Sequence, residues 1–514
     1  MVDFEKDIIG EVLAPGSQIK KTSTKTKENG STKKKIPIKK YSQNGLGRLH
    51  ESVIIDTSSK FVHLGKDQKP HFVSEIERAN DILMPGDTID TQNPMPFIFE
   101  SENDFQKSLE EAKKLDLETL FNIVESINRK YVDIEDHYHV LLTADMIWTW
   151  LQDRFSSTAY NVFTGDNGSG KNSELLVFKF LGYRVYYVVS ASAANYYTKM
   201  GNIEEGQITI AEDEVGDIAK DREKRNVFAS GYCSGGSVPK VELEGGRKSE
   251  DWLTYSQKWI TMEELLTTHP DMKGILDRSF VFRFVAGDPQ YNIKDVIKSA
   301  GDPKFQPLHD KLMSTRKLFF CWRLLHYEDV ILDVKINVKN RSAELTKPLI
   351  RLFQNSPIAL EKILDSLSKF LVEKSDIKKN SFESKLYEVI KFLREERKER
   401  LDSGIATDDE KALGELTFTN LALLNITREI MDCVETEKTG LYWSSLIGCS
   451  VSQTKITSVA KSKFKADSIS IKLHDDGYPK TYRCLKFEEK YLKRIESSYD
   501  IPDKIKILED SDNQ

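Results

Sequence analysis

Apolar and polar positions alternate with different periods along this chain, and the changes of period divide it into regions. Short β-branched runs separated by turn residues over residues 49–72 predict a small strand-rich piece. Residues 104–155 carry apolar side chains at three- and four-residue spacing, which predicts two or three amphipathic helices. From about residue 158 to 285, helix-like and strand-like segments alternate, a pattern typical of an α/β domain with a largely parallel sheet. Beyond residue 288 the pattern is mainly helical.

The central pattern predicts five strands, each separated from the next by a helix. The strands are expected near Tyr160, Tyr183, Ile208, Lys258 and Phe280, with helices over 173–180, from Ala193, over 218–232 and shortly before Phe280. The predicted fold class is therefore α/β, with a five-stranded, mostly parallel sheet flanked by helical regions.

The last hundred residues end in a compact pattern of helices and a hairpin. Residues 441–487 predict a short helix, a turn, a second helix over 452–463 and two strands joined by the segment HDDGYPK. This is the outline of a winged-helix-like unit, whose second helix, with Lys455, Lys461 and Lys463, would enter a DNA major groove. Winged helices also serve as protein contacts, so both functions stay open.

Length and pattern together define seven regions. The 514 residues exceed what one hydrophobic core holds, so several domains are expected. The predicted regions are a basic arm (1–43), a small strand-rich region (44–103), a helical lead-in (104–157), the α/β core (158–290), a helical region (291–435), the winged-helix-like unit (436–495) and a tail (496–514).

Composition excludes several classes of protein. No apolar run approaches the roughly 18 residues of a membrane-spanning helix, so no membrane partner is expected. The start of the chain lacks the basic region and apolar core of a secretory signal. The cysteines are widely spread and form no C-x-x-C pair, which argues against a disulfide framework and a zinc module. We therefore expect a cytoplasmic protein.

Charge is distributed unevenly. The net charge is −6, yet residues 17–40 contain nine lysines against the single acid Glu28, set among Ser, Thr and Gly. This composition predicts a flexible basic arm that can neutralise nucleic-acid phosphates in a salt-sensitive way. A solubilising tail is the alternative.

The segment TGDNGSGKNSELL has the spacing of a phosphate-binding loop. Gly165, Gly170 and Lys171 occupy the G-x-x-x-x-G-K positions between a candidate buried strand and a candidate helix. The backbone N–H groups of such a loop, the lysine charge and the helix N-terminus all attract phosphate. A coincidental glycine turn is the alternative. The predicted ATP-binding residues are Gly165, Asp166, Asn167, Gly168, Ser169, Gly170, Lys171, Asn172 and Ser173.

Two acids at the end of the third strand add catalytic chemistry. Asp213 would orient Mg²⁺ and Glu214 would polarise the attacking water. Asn172 stands where Ser or Thr normally places a hydroxyl on Mg²⁺, and its side-chain carbonyl could hold the ion with a different reach. We therefore predict Mg²⁺ ligands at Asn172 and Asp213. Glu212, where an apolar residue is usual, leaves open a plain solvated strand end.

Residues from about 160 to 284 resemble the additional-strand P-loop ATPases of the AAA+ and superfamily 3 helicase group. The closest resemblance is to the helicase-like ATPase part of archaeal plasmid and viral primase-helicases. It implies a polar sensor at Thr261, where the family commonly has Asn. It also implies that Arg278, just before the last strand, reaches a neighbouring subunit's nucleotide and stabilises transition-state charge. A helix-end arginine that satisfies the helix dipole is the alternative.

A hairpin is predicted between the acidic strand and the sensor strand. Residues 237–249, SVPKVELEGGRKS, alternate in polarity around a Gly-Gly turn. The family resemblance implies that this hairpin grips DNA through Lys240, Arg247 and Lys248. An ordinary surface hairpin is the alternative.

These features favour a P-loop ATPase that remodels or translocates nucleic acid, with DNA favoured over RNA. ATP and Mg²⁺ are the expected cofactors, and the resemblance implies a homo-oligomeric ring, with a hexamer as one option. Two other functions stay open: a nucleotide-switched DNA-binding regulator without translocation, and a degenerate P-loop protein with a structural role. Asn172 and Glu212 motivate the second of these.

Overall fold

The structure is a computed structural model. It describes residues 36–44, 47–200, 203–215, 218–242, 248–263, 272–379, 381–435, 442–446, 449–475, 478–499, 502 and 504–508. Most of the predicted basic arm, residues 1–35, lies outside the described residues. In the described part, no helix combines the length and the apolar composition that crossing a membrane requires.

The N-terminal region is built from short strands. These are β1 (Ile36–Lys40), β2 (Ser42–Gln43), β3 (His50–Ile55), β4 (Ser58–Leu64), β5 (Pro70–Val73), β6 (Ile76–Glu77), β7 (Asp81–Pro85) and β8 (Ile98–Phe99). One sheet has the order β2-β3-β4-β5, with β8 on β3, and another has the order β1-β7-β6. The prediction placed residues 36–43 in a flexible arm, but Ile36–Lys40 pairs in parallel with Asp81–Pro85. These residues form a strand because they pair with a segment far along the sequence. The composition of residues 36–43 alone does not reveal that pairing.

Three helices lead into the centre, as the three- and four-residue spacing predicts. They are α1 (Glu102–Ala112), α2 (Leu117–Tyr131) and α3 (Asp136–Trp148), and a 3₁₀ turn (Thr149–Arg154) follows. The side chains of Ser101 and Asp116 cap the first two by accepting hydrogen bonds from first-turn amides.

The core is a five-stranded parallel sheet that alternates with helices. Its elements are β9 (Tyr160–Thr164), α4 (Lys171–Leu181), β10 (Val185–Val189), α5 (Ala193–Met200), β11 (Thr209–Asp213), α6 (Arg222–Ser230), β12 (Ser237–Glu242), β13 (Lys248–Leu253), β14 (Lys258–Met262), α7 (Lys273–Asp277) and β15 (Ser279–Arg283). The sheet order is β10-β11-β14-β9-β15, and every pairing is parallel. The predicted α/β fold class is confirmed, and β14 is the additional strand between the loop strand β9 and the acidic strand β11.

Both faces of this sheet are buried, as expected for strands that read as continuous apolar runs. On one face, the aromatic side chains of Phe163, Phe178 and Trp259 belong to the largest apolar cluster. On the other face, Val162 and Ile260 belong to a second cluster, with side chains from α5 and α6. The sheet is therefore rigid, and its carboxyl ends can hold a site.

The predicted hairpin is present. β12 and β13 pair antiparallel from Ser237↔Leu253 to Glu242↔Lys248, between α6 and β14. Residues 243–247, including Arg247, and the side chains of Lys240 and Lys248 lie outside the described residues, so the proposed DNA grip stays a prediction.

A helical region follows the sheet. It comprises α8 (Ile293–Lys298), α9 (Gln306–His326), α10 (Asn340–Phe353), α11 (Pro357–Lys379), α12 (Phe382–Asp402) and α13 (Asp408–Leu413). A buried ionic network ties it to the rest: Arg323 of α9 binds Glu51 and Asp153, while Arg184 binds Glu51 and Asp87. All of these charges are paired, which is the condition for burying them without a large loss of stability.

The C-terminal unit has the helix and hairpin arrangement that the sequence predicts, with one correction. Its elements are β16 (Thr417–Thr419), α14 (Asn420–Ile430), β17 (Cys433–Glu435), β18 (Tyr442–Ser444), β19 (Cys449–Val451), α15 (Gln453–Phe464), β20 (Asp467–Asp475), β21 (Tyr478–Lys486) and α16 (Glu489–Tyr499). The first helix of the pair is α14, and the segment after residue 441 forms strands rather than the predicted short helix. Its Tyr and Trp side chains pair across a three-stranded sheet, β17-β18-β19. The apolar core of this unit begins at Phe382, before the predicted boundary at 436.

Candidate nucleotide-binding site

The predicted phosphate loop joins the end of β9 to the start of α4, and its glycines are required by geometry. Gly165 has a φ of 147°, and a Cβ there would lie 2.1 Å from the carbonyl oxygen of Phe284. Gly170, at the N-cap of α4, has a φ of 98°. Side chains other than hydrogen would be strained at both positions. The spacing in the sequence therefore corresponds to a true loop.

The loop presents donors that no side chain of its own satisfies. Gly170 gives α4 no side-chain cap, so the first-turn amides remain available to an anion. Lys171 is 7% exposed, and its Nζ donates to the carbonyl oxygens of Gly165 and Asp166. The hydroxyl of Ser169 is buried without a hydrogen-bond partner in the described part of the chain. These polar groups suit a phosphate, which would accept from the amides and from the lysine.

The two predicted acids meet the predicted sensor across neighbouring strands. The hydroxyl of Thr261, in β14, donates to Oδ1 of Asp213 at 2.6 Å and accepts from the amide of Glu214 at 2.8 Å. The hydroxyl hydrogen of Thr261 is therefore engaged in the hydrogen bond to Asp213. In this structure Thr261 is a positioning residue. Glu214 has a φ of 55° and an exposed side chain. Such a conformation costs roughly 1–3 kcal/mol and is common at functional sites.

Glu212 faces away from this group, because neighbouring residues of a strand point to opposite faces. It is fully buried, with an ion pair to Lys224 and hydrogen bonds from Tyr196 and the amide of Ala191. Burial raises the pKa of Glu212, and the Lys224 ammonium opposes that shift. The polar residue in an apolar position is thus satisfied inside the core.

One cleft of about 810 Å³ brings most of the predicted site together. Its walls include Asn167, Gly168, Ser169, Gly170, Lys171, Asn172, Ser173, Asp213, Glu214 and Thr261. Gly165 and Asp166 form the start of the loop, where their carbonyls hold the Lys171 ammonium. A cleft of this volume, with convergent cations, amides and carboxylates, fits a nucleotide triphosphate with its magnesium ion.

Several residues of the cleft are not among those predicted from the sequence. Glu263 follows β14 directly and accepts a hydrogen bond from the Asn167 side chain at 3.1 Å. The sequence signal for Glu263 was its position directly after a buried strand, because the carboxyl end of that strand lies at the same end of the sheet as Asp213. The far wall comes from the loop after α2, where Asp133 accepts from the amide of Asp288 at 2.9 Å. No local motif marks that wall, since distant segments form it.

Arg278 lies outside the cleft. It precedes β15, and Ser279 is paired with Tyr160 at the start of β9, whereas the phosphate loop follows the end of β9. The five residues of β9 span about 16 Å at about 3.3 Å per residue, so Arg278 is far from its own loop. Its guanidinium lies 4.1 Å from the centre of the Tyr232 ring and donates to the carbonyl of Gly274 at 2.9 Å.

A buried acid lies one turn behind the phosphate loop. Glu174 of α4 accepts from the Asn128 side-chain amide at 3.3 Å, and both residues are fully buried. Oε2 of Glu174 and Oδ1 of Asn128 have no partner in the described part of the chain. Burial raises the pKa of Glu174 to about 8. The hydrogen bond from Asn128 joins α4 to α2, which leads into the far wall of the cleft.

The strand order and the phosphate loop define a P-loop NTPase core. No protein-family model and no curated protein sequence matches this chain. Solved structures show partial likeness. The apo C-terminal region of NrS-1 is 11% identical, with a TM-score of 0.36, over 85% of this chain and 96% of that chain. JCV helicase with a bound small molecule is 12% identical, with a TM-score of 0.24, over 52% and 69%. Cdc6p from Pyrobaculum aerophilum is 11% identical, with a TM-score of 0.20, over 72% and 94%. All three TM-scores are low, and the fold is assigned from this chain's own strand order.

We expect Lys171→Ala to weaken ATP binding by about ten- to a hundredfold, because a charged hydrogen bond contributes roughly 1.5–3 kcal/mol. Titration calorimetry with ATP and Mg²⁺ measures the affinity, and thermal unfolding checks the fold. Lys179→Ala is the matched control, since Lys179 lies on the same helix over the Tyr187 ring and outside the cleft. Equal ATP affinity in the two folded variants would contradict the phosphate-loop assignment.

We expect Glu174 to contribute stability that falls as pH rises from about 4.5 to about 8, because the folded state raises the pKa of Glu174. The stabilising proton is bound fully below the unfolded pKa and is lost as pH passes the folded value, with about 1.4 kcal/mol per pKa unit. Glu174→Gln keeps the shape without the titration. Urea unfolding at several pH values should show a shallower loss for the variant, and identical pH slopes would refute the role of Glu174.

Proposed function

We propose that this chain is an ATP-hydrolysing protein that remodels nucleic acid, helicase- or translocase-like and working in DNA replication. The observation that carries the proposal is the hydrogen-bonded group of Thr261, Asp213 and Glu214 opposite the phosphate loop. It combines a phosphate cradle with two differently placed carboxylates, the elements that P-loop hydrolysis needs.

Each residue has a distinct task in this mechanism. The loop amides and Lys171 bind the β- and γ-phosphates, and Asn172 and Asp213 are the candidate Mg²⁺ ligands. When bound, Mg²⁺ would neutralise charge that develops on the phosphates. Glu214 accepts a proton from, or polarises, the attacking water. The Thr261 hydroxyl holds the carboxylate of Asp213 and the backbone amide of Glu214.

Nucleic-acid binding rests on the C-terminal unit and on the basic arm. α15 carries Lys455, Lys461 and Lys463 and has no acidic residue, so it fits a polyanion. The arm, whose first 35 residues lie outside the described part, would add sequence-independent attraction. DNA is favoured over RNA because a helix of this kind suits the wide major groove of B-form DNA.

An ATPase assay on the full chain, with and without single-stranded DNA, tests the function. We expect turnover that DNA stimulates. Slow turnover without stimulation would favour a nucleotide-switched DNA-binding regulator. The absence of turnover would favour a degenerate P-loop protein.

Glu214→Gln should retain ATP binding and slow hydrolysis by about 10²- to 10⁴-fold, because the amide cannot act as a general base. Single-turnover hydrolysis with a parallel binding titration separates the two effects. Glu212→Gln is the comparison: it leaves the Lys224 ammonium buried without its carboxylate, so it should lower the melting temperature and spare the chemistry of the folded fraction. A reversal of these two outcomes would show that the acids are misassigned.

Arg278 should act in a neighbouring subunit's site, since it lies at the amino ends of the strands whereas its own phosphate loop lies at their carboxyl ends. Mixing Arg278→Ala chains with Lys171→Ala chains in equal amounts should recover up to about a quarter of the parent turnover, because a quarter of randomly formed interfaces pair an intact loop with an intact arginine.

The double variant Lys171→Ala/Arg278→Ala, mixed with either single variant, is the control and should recover nothing. An active monomer under assay conditions would eliminate the shared site.

A further inference from the structure

An inserted sheet separates the two helices of the C-terminal pair. α14 ends at Ile430 and α15 begins at Gln453, and the three-stranded sheet β17-β18-β19 fills the interval. Helix pairs that bind DNA are normally joined by a turn of about three or four residues. The insertion is therefore placed directly before the N-terminal end of α15, the end that such a helix directs at nucleic acid.

One face of this sheet is buried and the other is open. Val434, Trp443 and Ser450 are paired in one row across the three strands. Because side chains alternate along a strand, this row shares a face, while Ser444 and Val451 lie on the opposite, buried face. Val434 is 68% exposed and Trp443 is 48% exposed.

The indole of Trp443 is exceptional in this chain. Four of the other five tryptophans are at most 3% exposed, and Trp252 is half-buried against the Tyr197 ring. Val434 and Trp443 are paired and exposed side by side, and a contiguous apolar patch of this kind is typical of a binding surface.

Charge next to the open row identifies the class of partner. Nζ of Lys455 lies 3.4 Å from the carbonyl oxygen of Ser450, the residue opposite Trp443. The same Nζ lies 4.7 Å from the centre of the Phe382 ring. Lys461 and Lys463 lie further along α15, and the three lysines do not form one row, because positions two and six residues apart do not share a helix face. An exposed indole whose strand neighbour Ser450 contacts the Lys455 ammonium matches a partner with aromatic faces and a phosphate backbone.

We propose that the face formed by Val434, Trp443 and Ser450 binds single-stranded nucleic acid, with an unpaired base stacked on Trp443 and phosphates near Lys455. Duplex bases have their faces covered by neighbours, whereas bases of a single strand can stack on an aromatic side chain. The inference rests on the proposed nucleic-acid function and assigns to it a single-strand site that adjoins the α15 groove contact and shares Lys455 with it.

Fluorescence anisotropy with the full chain tests the proposal, using a labelled oligothymidylate and a labelled duplex. Trp443→Ala should weaken binding of the single strand about tenfold, as expected for loss of one stacked base. Trp443→Phe should restore most of the affinity, and duplex affinity should change less than twofold in both. Ile405→Ala, which truncates another exposed apolar side chain at 72% exposure, is the control and should have no effect.

The double variant Lys461→Glu/Lys463→Glu separates this inference from the function on which it rests. If that variant loses affinity while Trp443→Ala binds the single strand like the parent, the stacking site is wrong and nucleic-acid binding stands. Equal losses for single strand and duplex in Trp443→Ala would mean a structural role and overturn the proposal. Unchanged DNA binding with altered self-association would assign the face to a protein contact instead. A parent chain that binds neither probe would refute both ideas.

Discussion

The hydrogen bond from the Thr261 hydroxyl to Asp213 is the interaction on which the candidate site depends. It exists because β14 is inserted between the loop strand and the acidic strand, so the carboxyl ends of three parallel strands meet at one edge. The same hydroxyl accepts from the Glu214 amide, which holds that residue in a left-handed conformation. The Thr261 side chain thus orients the Asp213 carboxylate and the Glu214 backbone, and such placement is what hydrolytic chemistry would require.

The central fold could be predicted from the sequence because local and global signals agree there. Each central strand contains β-branched or aromatic residues and helix-like segments separate the strands, so a parallel sheet covered on both faces follows from the pattern. The turn between β9 and α4 could be predicted for a similar reason: Gly165 and Gly170 occupy backbone conformations that favour glycine, and the two glycines are visible in the sequence.

The parts that escaped prediction depend on partners far along the chain. The strand Ile36–Lys40 looks like part of a charged arm until Asp81–Pro85 pairs with it. The segment after residue 441 has the composition of either a helix or a strand, and its pairing with β17 and β19 decides for strands. Glu263 and Asp133 lie in the cleft but belong to segments without a motif. Glu212 can be buried because it forms an ion pair with Lys224, and the sequence does not show that the two residues meet.

Sheet geometry also determines where the remaining charge must come from. The cleft gathers four acids against two lysines, and phosphates would add further negative charge. The acids are Asp133, Asp213, Glu214 and Glu263, and the lysines are Lys171 and Lys294. Stabilising the extra charge of a transition state therefore calls for another cation at the cleft. Arg278 is a candidate. In its own chain it lies at the amino ends of the strands, against the ring of Tyr232. The sheet keeps the amino ends and the carboxyl ends of its strands apart. A contribution from this arginine therefore needs a second copy of the chain, and turnover would then depend on assembly.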